Sequence, residues 1–151
     1  MVIELYDDVL VKDMKTKSHY EVSEIPDAEA RYRAEAGTEK EGEIHKCINE
    51  GASRLMHRCL RFLRNYYVDK RDNEEDPKTA YTYDFVLSER RSLGKAEPLA
   101  EAMNTFVVEY ALSKFYATVS QGDLSNKHSL LAVDAGNRID ELLYYKLPPR
   151  V

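Results

Sequence analysis

The chain of 151 residues has no tryptophan, two cysteines and four histidines. Two thiols are too few for a disulfide scaffold, and folding in the cytosol is the simplest expectation. No run of about 18 apolar residues occurs, which argues against a membrane-spanning helix. The opening MVIELYDDVLVKD lacks a basic stretch followed by a long apolar one, so it does not read as a secretory leader. GxGxxG, GxSxG and the phosphate-loop pattern GxxxxGK followed by Ser or Thr are missing. No acidic run matches an EF-hand loop or a zinc-protease spacing. Asp7-Asp8 and Glu39–Glu43 therefore read as solvated faces and helix-start carboxylates. A general nucleic-acid binder needs a basic field, and the formal net charge here is −5.

What the chain does have is an uneven charge distribution. Residues 1–50 carry 7 Lys/Arg against 13 Asp/Glu, residues 51–76 carry 6 against 5, and the remainder 9 against 9. The acidic excess lies in the first third. A chain of this length supports one domain with a real core.

Residues 2–11, VIELYDDVLV, suit a short strand or an extended arm, and 12–25 read as polar and irregular. Pro26 opens a short helix that Gly37 closes. Thr38 and Glu41 form a capping-box pattern before a long helix. Its apolar residues recur at Ile44, Ile48, Ala52, Leu55, Cys59, Phe62 and Tyr66, the helical period, and the helix is expected to end near Val68. In residues 80–88, AYTYDFVLS, Tyr81, Tyr83, Phe85 and Leu87 alternate with Thr82, Asp84, Val86 and Ser88 as in a half-buried strand. Its expected partner is the N-terminal stretch or a neighbouring subunit. Ser92-Leu93-Gly94 reads as a turn.

Pro98 starts a second long helix with a broad apolar face, which Gly122 stops. Asp123 or Ser125 caps a third, striped by Leu131, Ala135, Ile139 and Leu142. LPPRV leaves an extended tail. The expectation is a mostly α protein, a bundle of three main helices with a short N-terminal helix, a small β-strand or hairpin insertion, an extended N-terminal arm and a C-terminal tail. The divisions are an acidic arm at 1–37, a helical core at 38–147 and the tail at 148–151.

Residues 45–59, HKCINEGASRLMHRC, repeat H-x-C at both ends. Two histidines and two cysteines are a zinc donor set. On one helix, however, His45 and His57 stand ~18 Å apart along the axis and ~120° apart around it. Four such donors cannot meet one ion, and the same spacing forbids a Cys47–Cys59 disulfide unless the helix breaks at Gly51. The wheel assigns Cys59 to the core, Cys47 to its flank and His57 to the polar side. His19 and His128 are isolated in sequence. No catalytic, cofactor or metal residues are assigned.

The same wheel places Arg54, Arg58 and Arg61 at i, i+4 and i+7, with Arg64 nearby, as a basic stripe opposite the apolar one. It reads either as a solvated face, as a phosphate contact, or as a dock for an acidic segment such as residues 1–36. Tyrosines cluster near element ends, with Tyr81, Tyr83, Tyr144 and Tyr145 as candidate interface residues.

With EPLAEAMNTFVVEYALSKFYATVSQGDLSNKHSLLAVDAGNRIDELLYYKLPPR following a long amphipathic helix and a short strand, the layout of residues 39–147 resembles small head–tail connector (adaptor or neck) proteins of tailed phages and prophages. That resemblance implies a non-catalytic structural protein of the virion, assembled in the host cytoplasm. It would form a homo-oligomeric ring between portal and tail proteins, with DNA passing through and neither sequence-specific nucleic-acid binding nor a membrane involved. The competing expectations are a soluble helical protein-binding module or regulator acting as monomer or dimer, and a metal-dependent or thiol enzyme built on the H-x-C pairs.

Overall fold

The computed structural model describes residues 1–71, 78–86 and 94–144. It is mostly α with one small antiparallel sheet. Along the chain run β1 (Val2–Tyr6), α1 (Asp7–Val22), α2 (Ala28–Ala34), α3 (Glu41–Cys59), β2 (Leu63–Arg71), β3 (Lys78–Phe85), α4 (Ala96–Thr118) and α5 (Gly122–Leu143). The expected turn at Ser92-Leu93, the strand residues Leu87 and Ser88, Tyr145 and the LPPRV tail lie outside the described residues.

The N-terminal stretch is not an arm. Val2–Tyr6 pairs antiparallel with β3, with Val2 opposite Asp84 and Tyr6 opposite Ala80. Residues expected to be irregular continue as α1, whose buried residues are Leu10, Val11, Met14, Ser18 and Val22. Four of these repeat at i+4, but interleaved lysines and the polar Ser18 hide the stripe. Ser18 earns its burial by accepting the backbone N–H of Ala36 at 2.8 Å, so its hydroxyl is satisfied inside the core.

The long central helix also ends earlier than its apolar period suggests. α3 stops at Cys59, a short 3-10 turn covers Leu60–Phe62, and residues 63–71 become β2. Leu-Arg-Asn-Tyr-Tyr-Val is rich in strand-forming residues, and pairing with β3 decides between two compatible periods. Tyr66 lies opposite Tyr83 and Tyr67 opposite Thr82, while a bulge leaves Arg64 between the paired Leu63 and Asn65. The Thr38–Glu41 capping box does not form; Thr38–Lys40 is a separate 3-10 turn without a side-chain cap.

The sheet order is β1-β3-β2, so β3 is the central strand with both edges occupied. Strand addition from a neighbour at β3 is thereby ruled out. Its alternation is as expected, with Tyr81, Tyr83 and Phe85 buried. They face α3: the Tyr83 hydroxyl donates to the Ala52 carbonyl at 2.8 Å, and that of Tyr81 donates to Asn49 Oδ1.

α4 is the axis of the fold. Its buried residues include Leu99, Met103, Phe106, Val107, Val108, Ala111, Leu112 and Phe115, which occupy most of its circumference, as in a helix packed on several sides. α1, α3 and α5 pack around it. Pro98 falls in its first turn, where a missing N–H costs nothing.

Gly122 does not end α4; it begins α5. The stop is a Schellman turn built on Ser120. Gln121 N–H bonds Tyr116 O at 2.8 Å, Ser120 N–H reaches Ala117 O at 3.4 Å, and Ser120 holds φ at 62°. A non-glycine residue there carries about 1 kcal/mol of backbone strain. Ser120→Gly is therefore expected to raise unfolding stability by about 0.5–1 kcal/mol in urea titrations. A loss of stability would show that the Ser120 side chain contributes more than its backbone strain costs. Neither Asp123 nor Ser125 caps α5; Ser125 Oγ donates to the Ser113 carbonyl at 2.8 Å instead.

Candidate functional site

α3, α4 and α5 enclose a groove of about 550 Å³. α3 contributes Arg54, His57 and Arg58, one turn apart on its outward face. α4 contributes Phe106, Tyr110 and Lys114, four residues apart, and α5 contributes Ser129, Ala132 and Val133. No carboxylate lines it among the described residues.

The wall is a ladder of cations and rings. The Arg58 guanidinium lies 6.0 Å from the Phe106 ring centroid, Phe106 and Tyr110 are 6.1 Å apart at 19°, and Lys114 Nζ sits 5.5 Å from the Tyr110 ring. Arg58 is a fixed strut. It donates to Asp140 at 2.9 Å and to the Gly136 carbonyl at 3.1 Å, tying α3 to α5. A Cβ at Gly136 would stand 2.5 Å from the guanidinium carbon, so glycine is what admits it.

Arg54 differs: its partner is the Tyr110 hydroxyl at 3.5 Å, and that contact nudges the guanidinium further toward its charged form. Arg54, His57 and Lys114 thus present positive or protonatable groups with no carboxylate paired to them among the described residues.

The expected stripe is therefore only half right. Arg54 and Arg58 share the groove, whereas Arg61 lies in the 3-10 turn and Arg64 at the β2 bulge, both exposed and off the helix. The nearest carboxylate to Arg58 comes from α5, not from the acidic first third. Tyr81 and Tyr83, expected at an interface, are instead core residues, 3% and 0% exposed; burial raises both phenols' pKa. Tyr144 is half-exposed, edge-on to Phe62 at 4.7 Å. Lys114, which completes the groove with Tyr110, has no sequence signal because it comes from another helix.

The H-x-C residues do not converge. α3 runs unbroken through Gly51, and Cys47 and Cys59 are buried free thiols. Burial pushes them up to about 11 and about 12, respectively, away from a reactive thiolate. His45 instead stands 3.7 Å from both Asp7 and Glu41.

A second assembly of charge lies inside the fold. His128 of α5, 3% exposed, holds Glu109 of α4 with Nδ1 and Glu21 of α1 with Nε2, the latter at 2.7 Å. Lys17 bonds Glu109 at 2.7 Å, Lys127 bonds Glu21 at 2.7 Å, and the Tyr116 hydroxyl donates to Glu21 at 2.9 Å. A carboxylate faces each imidazole nitrogen, and only imidazolium donates from both. Although burial alone opposes its charge, the two carboxylates raise the His128 pKa. Burial likewise opposes both carboxylates, yet the lysines and His128 hold Glu21 and Glu109 below their ordinary range. With His128 buried, the cluster ties together α1, α4 and α5. Its signal in the sequence was Glu109 inside the apolar run VVEYALSKF and His128 in helical register with Ala132, Ala135 and Ile139.

No protein-family model, curated protein or solved structure matches the chain. The groove's charge and shape therefore carry the functional reading.

Proposed function

We propose that this chain is a non-catalytic assembly subunit of the head–tail connector kind, which forms a homo-oligomeric ring between portal and tail proteins. The observation that supports this reading is the separation of charge between surfaces. The cationic groove belongs to α3, α4 and α5, while the acidic excess of the first third includes exposed Glu24, Asp27 and Glu29 around the α1–α2 turn. Neither α1 nor α2 contributes to the groove. Two different, oppositely charged surfaces on one subunit suit head-to-tail contact, and head-to-tail contacts that close give rings.

The reactive thiols and convergent donors that an enzyme built on the H-x-C pairs needs are not brought together by α3. Light scattering with negative-stain imaging tests the ring. Closed rings, formed by the chain alone or on adding portal or tail proteins, are expected. A chain that stays monomeric under all these conditions overturns the assembly reading and favours the small binding module.

A further inference from the structure

We infer that the α3–α4–α5 groove is the receptor for an acidic segment of a second copy of this chain, residues 72–76. This deepens the assembly reading and rests on it for the second copy. The groove supplies Arg54, His57 and Lys114, unmatched by any carboxylate among the described residues, beside the aromatic wall of Phe106 and Tyr110. Its volume falls within the range of about 300–1,000 Å³ typical of ligand-binding clefts. The occupant that fits is short, anionic and able to lay an apolar group on the rings.

Residues 72–76 read DNEED, four carboxylates with no intervening cation, and Pro77 follows. This is the densest acidic run in the chain. It lies in the chain between β2 and β3, whose last register pair is Arg71 with Lys78. The carboxylates of residues 1–36 give the subunit an acidic surface but suit the groove itself less well. They are spread over α1 and α2 among lysines and arginines, and several are already engaged, as Glu21 is by Lys127 and His128 and Glu29 by Arg33. A segment between β2 and β3 entering a groove formed by α3, α4 and α5 of the next subunit is a heterologous contact, as a ring requires.

The test uses the full chain in three forms: the parent, the groove variant Arg54→Glu/Lys114→Glu, and the loop variant Asp72→Asn/Glu74→Gln/Glu75→Gln/Asp76→Asn. Circular dichroism first establishes that the variants are folded. Assembly is read by light scattering. Binding of a capped, fluorescent peptide of sequence DNEEDP is read by anisotropy at low and high salt. Both variants are expected to assemble more weakly than the parent. Peptide should bind the parent, weaken with salt, and lose about tenfold or more in affinity for the groove variant.

A groove variant that also carries Asp72→Lys/Glu74→Lys/Glu75→Lys/Asp76→Lys should regain assembly through the exchanged charges. If the parent assembles but the loop variant assembles equally well and the peptide does not bind, this occupant is wrong while the assembly reading stands. If the parent stays monomeric yet binds peptide, the assembly reading falls, and the second copy with it. Peptide that binds only the loop variant means the segment fills its own chain's groove, which also overturns the intersubunit assignment.

Discussion

Glu109→Ala is expected to lower unfolding stability by about 3–5 kcal/mol, a midpoint shift of roughly 10 °C for a chain of this size. The carboxylate is 4% exposed and faces His128 and Lys17. Removing it leaves an imidazolium in the interior with only Glu21 to oppose it, and takes away a contact linking α4 to both α1 and α5. Desolvation of the abandoned partners adds to the lost attraction, which is why truncating one member costs more than the network is worth in total. Glu109→Gln, which keeps shape and a hydrogen-bond acceptor, should cost less than alanine. Urea unfolding measures both.

The pH dependence supplies a signature that lost packing would not imitate. The raised folded pKa of His128 makes its stabilisation full below the ordinary histidine value near 6.5 and lost as pH rises through the folded value. The lowered Glu21 and Glu109 act oppositely. Their contribution is present above about 4.5 and lost as pH falls through their folded values. The cluster's contribution is thus greatest between about 4.5 and 6.5 and declines on both sides. In Glu109→Gln the alkaline decline should be smaller and complete at a lower pH, because one of the two charges that raise the histidine pKa is gone. Stability within about 1 kcal/mol of the parent in the alanine variant, with an unchanged pH profile, would show that the cluster carries no net coupling.

That cluster also marks where sequence reading stops. The cores of α3 and α4 were legible because Ile44, Ile48, Ala52, Leu55 and Cys59, and then Leu99, Met103, Phe106 and Val107, repeat at helical intervals. The alternation of Tyr81, Tyr83 and Phe85 identified β3 by the same reasoning. Helix α1 was not legible, because a helix that packs by one narrow stripe can carry lysines at nearly every other position. The boundary at Cys59 was hidden for a different reason. Phe62, Leu63 and Tyr66 continue the helical period, and only the pairing of Tyr66 with Tyr83 makes them strand. His128 looked isolated because its partners are 19 and 107 residues away. Likewise, the groove needed Lys114 and Tyr110 from a helix whose angle to α3 no local pattern encodes. Charge that acts across helices is a tertiary property.

The angle and spacing of those two helices lead to the other large effect, in Gly51→Val. A glycine within α3 costs about 1 kcal/mol of helix stability relative to alanine, and the structure gives the reason it is there. A Cβ at Gly51 would lie 3.0 Å from the Val107 carbonyl oxygen and 3.2 Å from Val107 Cγ1. The obstacle is helix backbone, which cannot rotate aside as a side chain does. Valine adds two methyl groups to that contact and is expected to cost about 2–3 kcal/mol by forcing α3 and α4 apart. Gly42 provides the contrast: a Cβ there meets nothing within 4 Å, so Gly42→Ala should instead stabilise by up to about 1 kcal/mol. The consequence of Gly51→Val should extend to the groove, since Arg54 and Tyr110 lie one turn beyond Gly51 and Val107 on the same two helices. Widening that interface separates the guanidinium from the hydroxyl, now 3.5 Å away, and moves Arg54 relative to Lys114. Gly51→Val is therefore expected to weaken groove-dependent peptide binding as well as stability, with Gly42→Ala leaving binding unchanged. A Gly51→Val protein as stable as the parent would mean that α3 and α4 do not approach this closely.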